Sequence, residues 1–241
     1  MWLGSILSEQ DAERASGTLR KLYGVGFTHC TLTGGIAIEA QIAGNGGVTT
    51  RRPLNDLDFL VESFDSIPRS ICDGFLLRHV HPYAPPGKIL LQAVDAGSRL
   101  RIDLFRTWGK EMERASEVEL DGMTIRTISL ADLAARKARL CWEMVEGRSI
   151  APKHARDLLR MSELRPPQEF QEAWQEHRFR HQPESFVRAV EDVREMINSH
   201  PELLVPSVYS TNVEESCPRC HALPGLPLAD AGAVLSLLGY C

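Results

Sequence analysis

The stretch Arg51-Arg52-Pro53-Leu54-Asn55-Asp56-Leu57-Asp58-Phe59-Leu60-Val61-Glu62 decides how this chain reads. From Asp56 to Glu62 the residues are largely apolar or β-branched, and Leu57, Phe59 and Val61 alternate with Asp56, Asp58 and Leu60, which predicts a strand. Successive side chains of a strand point to opposite faces, so Asp56 and Asp58 share one face while Leu57 points to the other. Two carboxylates converging from one strand suit a hard cation that wants oxygen ligands, and Mg²⁺ is the usual choice where phosphates are handled. Taken alone, Asp-x-Asp is equally the solvated end of a strand or a turn.

Downstream, Arg101-Ile102-Asp103-Leu104-Phe105 adds a third carboxylate. Leu100, Ile102 and Leu104 make one apolar face and Asp103 lies on the other, in a strand able to pair beside Asp56–Glu62. With Asp103 in place, two metal ions can be held close together, an arrangement that stabilises both the attacking and the leaving oxygen of an in-line phosphoryl displacement. Asp103 is then the natural group to orient or deprotonate an attacking hydroxyl. Upstream, Leu32-Thr33-Gly34-Gly35-Ile36-Ala37 reads as strand, turn and helix. Glycine lets backbone approach a ligand, and a helix start aims N–H groups at an anion such as a triphosphate. A glycine turn that merely joins strand to helix has the same sequence.

Around these motifs the chain divides near residue 128. Before it we read a helix over 8–22, a strand over 27–33, a helix over 36–42, strands over 89–94 and 100–105, and a hairpin over 117–127 turning at Asp121-Gly122. After it, Ser129-Leu130-Ala131-Asp132 resembles a capping box opening a helix to about residue 146. Helices over 152–164, 167–178 and 184–199 follow without a strand signal. The expected fold is α/β, a mixed sheet with flanking helices, followed by an α-helical half. The expected domains are 1–128 (α/β), 129–203 (helical) and 204–241, a cysteine-bearing tail.

The 241 residues suffice for a sizeable core, and a formal net charge of −5 argues against a general nucleic-acid coat protein. No apolar run approaches the roughly 18 residues that span a bilayer, and the amino terminus has neither a positive start nor an apolar stretch, so we expect no membrane partner and a cytoplasmic location. Residues 136–165 carry eight Lys or Arg against four acids. That local excess either draws a triphosphate or an RNA end towards the acidic residues, or is a salt-bridged helix surface.

In order along the chain, Gly34-Gly35, Asp56-Leu57-Asp58 and Asp103 resemble the signature of the polymerase-β nucleotidyltransferase superfamily. Arg51 to Phe59 is similar to the arginine-bearing approach to Asp-x-Asp in the AbiEii-type toxin branch, with Asn55 where that branch usually has Ser or Thr. Ile128 to Lys137 is similar to the family's lysine-bearing helix, and Pro152 to Leu159 to its basic-then-Asp-Leu segment. The resemblance covers about residues 31–161. It implies Asp56, Asp58 and Asp103 as catalytic Mg²⁺ ligands, with Thr33, Gly34, Gly35, Arg51, Lys137 and Asp157 binding a nucleoside triphosphate. Lys137 would contact the triphosphate and Asp157 would orient Lys137 or a phosphate-side network. The activity implied is transfer of a nucleoside monophosphate to a hydroxyl, on a tRNA 3′ end or a protein, in a toxin with a cognate antitoxin as partner. A small-molecule, antibiotic-type acceptor and an inactive nucleotide-binding or interaction module are the alternatives.

Cys30, Cys72 and Cys141 sit singly among apolar neighbours and read as buried thiols. Cys217-Pro218-Arg219-Cys220-His221 looks like a knuckle in which Cys217 and Cys220 bind Zn²⁺. Only His221 and Cys241 are evident further ligands, so a partner chain completes the site or the thiols are free. The apolar stretch 223–240 is expected to dock on the body or on another subunit, which makes the tail a route to an oligomer.

Overall fold

The computed structural model describes residues 1–81 and 84–206. Seven strands form one mixed sheet among the described residues: β1 (Thr31–Thr33), β2 (Asp56–Val61), β3 (Phe75–Val80), β4 (Ile89–Asp95), β5 (Arg101–Arg106), β6 (Ser116–Leu120) and β7 (Met123–Thr127), in the order β3-β4-β5-β2-β1-β7-β6. β2 runs parallel to its neighbour β5 and antiparallel to β1, and β1 runs parallel to β7. The helices are α1 (Glu9–Gly24), α2 (Gly34–Gly44), α3 (Leu130–Cys141), α4 (Pro152–Ser162), α5 (Gln171–His177) and α6 (Phe186–Ser199). The α/β architecture followed by helices is the one expected from the sequence.

Local chemistry sets most helix starts. Ser8 accepts from the Asp11 amide at 3.1 Å ahead of an acidic first turn, Ser129 accepts from the Asp132 amide at 3.1 Å, and Pro152 opens α4 where its missing N–H costs nothing. The Ser129 motif is not a reciprocal capping box. The Asp132 carboxylate takes bonds from Ser129 Oγ, Arg114 and His177 rather than from the Ser129 amide.

The elements depart from expectation in three places, the first being the helix opened at Ser129, which gives way at Cys141 to a 3-10 turn over Trp142–Met144 instead of running to about residue 146. The strand ending at Thr33 begins at Thr31 rather than at residue 27, because Gly26 at φ +82 and the bond from Phe27 N to Leu22 O make 24–28 the turn that closes α1. β3 had no counterpart in the sequence reading. It is an edge strand whose pairing with β4 shifts register between Leu77 and His79; Phe75, Leu77 and His79 are buried, but apolar Leu76 on the other face and polar His79 on the buried one blur the alternation that identifies strands.

One buried apolar cluster runs from Leu3 in the amino-terminal turn to Val193 in α6, so it is continuous across residue 128. The halves are also tied by buried ion pairs. Arg114 clamps Asp132 at 2.6–3.0 Å and reaches Glu176 at 2.9 Å, Arg136 pairs with Glu111, and Arg160 holds Glu39 at 2.7 and 2.9 Å. Burial alone would raise the Asp132 and Glu39 carboxyls, but the facing cations and donors outweigh it and hold both below the usual range. These pairs set how α3 and α4 stand against the sheet, and hence the width of the cleft between them. No helix among the described residues is long and apolar enough to cross a membrane.

Candidate active site

Parallel pairing of β2 with β5 places Asp58 opposite Asp103 and Asp56 opposite Arg101. One carboxylate oxygen of each of Asp56, Asp58 and Asp103 lies within 4.8 Å of the others. Burial pushes the Asp58 carboxyl up, and the Asp56 and Asp103 charges add to the rise; Lys137 and Arg101 offset only part of it. Burial also raises Asp103, to about 6, against the pull of Arg101 and of a 2.9 Å hydrogen bond from Gln92 Nε2. Three like charges are thus gathered where water solvates them poorly, a cost that a bound cation relieves.

The glycine turn is built against this cluster. Antiparallel pairing of β1 with β2 sets Thr33 opposite Asp58, and α2 begins at the next residue. Gly34 has φ +69, and a Cβ there would lie 1.9 Å from Asp58 Oδ2. A Cβ at Gly35 would lie 2.9 Å from Arg52 Nε. Thr33 sits at the helix N-cap without capping through its side chain, so the first N–H groups of α2 have no side-chain cap. Both glycines are there for close approach.

Cations line the opposite side. Arg52 Nη1 donates to Gly35 O at 3.0 Å and to Glu39 at 3.3 Å, and Nη2 donates to Asp157 Oδ2 at 3.1 Å. Lys137 Nζ lies 3.7 Å from the same Asp157 oxygen and 2.8 Å from His154 Nδ1. Burial lowers the Lys137 ammonium, opposed by Asp157, and burial together with Lys137, Lys153 and Arg52 lowers His154 to about 3. His154 is therefore neutral at pH 7, and its Nδ1 accepts a hydrogen bond from the Lys137 ammonium. Asp157 is fully buried, with Oδ1 lacking a hydrogen-bond partner among the described residues. A cleft of about 390 Å³ joins the two sides, lined by Gly34, Gly35, Asn55, Asp56 and Asp58 on one and Arg52, Lys137, Lys153, His154 and Arg156 on the other.

Of the residues singled out from the sequence, Asp56, Asp58, Asp103, Gly34, Gly35 and Lys137 meet in this region, Thr33 is buried beneath it, and Asp157 stands behind Lys137. Arg51 is exposed and outside the cleft lining, where its neighbour Arg52 stands instead. Two adjacent arginines in a loop carry no periodicity that says which one turns inward. Lys153, Arg156, Gln92 and Glu39 were not picked out. Lys153 and Arg156 belong to the basic stretch 136–165, whose remaining arginines are mostly paired, as with Arg136 to Glu111 and Arg165 to Asn45 at 2.7 Å. Cys217 and Cys220 lie outside the described residues.

The donor set fits the groups the sequence resemblance implies. Three clustered carboxylates are hard oxygen ligands of the kind Mg²⁺ takes, and a glycine-bearing helix start in one cleft with lysine and arginine has the donors that suit a phosphate.

No protein-family model and no curated protein matches the chain. Solved structures similar to it include the antibiotic-resistance factor ANT(2'')-Ia in solution, at 14% identity and TM-score 0.44 over 65% of this chain and 86% of that one. ANT(2'')-Ia in complex with adenylyl-2''-tobramycin is similar at 14% identity and TM-score 0.44 over 66% and 93%. An antigenic nucleotidyltransferase-like protein from Paracoccidioides brasiliensis is similar at 14% and 0.42 over 80% and 89%. At these values the likeness carries no functional information, and what the chain does is read from its own site.

Proposed function

We propose that this chain is a Mg²⁺-dependent nucleotidyltransferase that moves a nucleoside monophosphate from a nucleoside triphosphate to a hydroxyl, releasing pyrophosphate. The observation that carries the reading is the register of β2 with β5. It brings Asp56, Asp58 and Asp103 within 4.8 Å of one another directly against the uncapped start of α2.

Asp56, Asp58 and Asp103 would hold the metal, which supplies Lewis-acid stabilisation of the charge on the transferring phosphoryl group. The other parts are the chain's own. The Gly34 and Gly35 amides and Arg52, Lys137 and Lys153 take the triphosphate and fix it in line. Asp103 accepts the proton of the acceptor hydroxyl. Asp157 and neutral His154 keep Lys137 aimed at the phosphates.

The resemblance of residues 51–59 to the toxin branch favours a tRNA 3′ end or a protein hydroxyl as acceptor. A small-molecule hydroxyl of antibiotic type is the alternative. Incubation with each α-labelled nucleoside triphosphate, Mg²⁺ and either total RNA, total protein or a panel of hydroxylated small molecules tests all three. Label should pass to one acceptor class with wild type and to none with Asp58→Asn. Equal labelling by the two proteins would overturn the reading.

A further inference from the structure

We propose that Arg101 is a resident counterion of the carboxylate cluster which a divalent metal must displace, so that metal loading is coupled to release of its side chain. The proposal rests on the reading of Asp56, Asp58 and Asp103 as metal ligands.

Arg101 lies two residues before Asp103 on β5, so both side chains emerge on one face, and the register puts Arg101 opposite Asp56. Its guanidinium forms an ion pair with Asp56 Oδ2, and its Nε lies 3.2 Å from Asp103 Oδ2. One side chain thereby spans the two outer carboxylates. All three groups are mostly buried, with side-chain exposures of 19% for Arg101, 22% for Asp56 and 5% for Asp103. Screening by solvent is therefore weak. A guanidinium has only donors and keeps its charge at any pH a protein survives, so it cannot step aside by losing a proton.

Mg²⁺ and Arg101 want the same atoms. An ion coordinated by Asp56 and Asp103 takes lone pairs at about 2.0–2.1 Å, on oxygens that Arg101 already faces, with a hydrogen bond from Nη2 to Asp56 Oδ2 and an ion-pair contact of Nε with Asp103 Oδ2. A divalent charge and a guanidinium a few ångströms apart also repel strongly where the effective dielectric is low. Arg101 therefore does two opposed things. It holds the outer carboxylates in place when no metal is bound, and it lowers the affinity for metal. A side chain placed only to stiffen the strand would do the first and not the second.

Mn²⁺ is a convenient probe, because the free ion is counted directly by its paramagnetic resonance. The full chain would be titrated with Mn²⁺ as wild type, Arg101→Met and Arg101→Lys, and melted in a chelator and in saturating Mn²⁺. Arg101→Met should bind Mn²⁺ at least about tenfold more tightly, since both competition and repulsion are gone. It should melt below wild type in chelator and lose that deficit in Mn²⁺. Arg101→Lys keeps a charge but cannot bridge two carboxylates, so its affinity should fall between the two; it carries the comparison if the Met variant does not fold. Unchanged or weaker Mn²⁺ binding in both variants, or a melting deficit that persists in saturating Mn²⁺, would overturn the proposal. Absence of Mn²⁺ binding by wild type and variants alike would overturn the metal-site reading itself, and this proposal with it.

Discussion

Replacing Gly34 by alanine tests whether the glycine turn exists for contact with Asp58. The residue sits at φ +69, where an L side chain costs about 1–2 kcal/mol. The new Cβ would lie 1.9 Å from Asp58 Oδ2, 2.8 Å from Cγ and 2.9 Å from Cβ, so either the carboxylate leaves its rotamer or the start of α2 moves. Driving a buried side chain off its rotamer adds roughly 0.5–1.5 kcal/mol. The sum is about 1.5–3.5 kcal/mol, or a fall in Tm of about 3–14 °C for a chain of this size. A shift of about 1 Å at a metal-binding carboxylate should also cost roughly 100-fold in kcat. Gly17 is the control. It lies within α1 with nothing inside 4 Å of an added Cβ, so Gly17→Ala should stabilise by about 0.5–1 kcal/mol through helix propensity. Thermal melts of both variants beside labelled-nucleotide transfer make the comparison. A Gly34→Ala protein with wild-type Tm and turnover would refute the reasoning.

Asp58→Asn should abolish transfer while leaving the metal-free Tm at pH 7–8 equal to or above that of wild type. Burial and two neighbouring carboxylates raise its folded-state pKa to about 8, so Asp58 opposes folding increasingly as pH rises from the unfolded value of about 3.9 towards it; a clearly lower Tm would contradict this. Lys137→Ala should weaken nucleoside triphosphate binding by about 1.5–3 kcal/mol, roughly 10- to 150-fold, as loss of a charge-assisted bond to phosphate; an unchanged competition constant would remove Lys137 from the site. Asp132→Asn should cost about 3–5 kcal/mol in urea unfolding at pH 7, because Arg114 and the fully buried His177 lose their shared anion. The Asp132 pKa is depressed in the folded state, so its contribution is complete above the unfolded value of about 3.9 and fades as pH falls below it. The gap between variant and wild type should therefore narrow below about pH 4, and a gap that widens there would be the wrong sign.

Much of the fold was legible because it is written in short-range patterns. The alternation of Leu57, Phe59 and Val61 with the aspartates identifies β2, and Asp121-Gly122 identifies the hairpin of β6 and β7, where Asp121 takes φ 49 and Gly122 φ 73. Ser8, Ser129 and Pro152 announce α1, α3 and α4. β3 is not legible because Phe75-Leu76-Leu77-Arg78-His79-Val80 mixes apolar and polar residues on both faces, with Leu76 and Arg78 half-buried opposite the buried Phe75, Leu77 and His79. The three carboxylates and two glycines were legible for a different reason: they are chemically conspicuous residues at the ends of recognisable elements.

The sequence alone determined which residue types are available for metal and phosphate, and that Asp56 and Asp58 share a face, since strand geometry leaves no other choice. It determined neither the partner strand nor the register, and therefore not that Asp103 faces Asp58 or that Arg101 spans Asp56 and Asp103. It could not choose between Arg51 and Arg52, because the bond from Arg52 N to Ile6 O and the ties to Gly35, Glu39 and Asp157 come from segments 13 to 105 residues away. Cation placement and carboxylate desolvation are properties of packing between distant segments, and only the tertiary structure decides them.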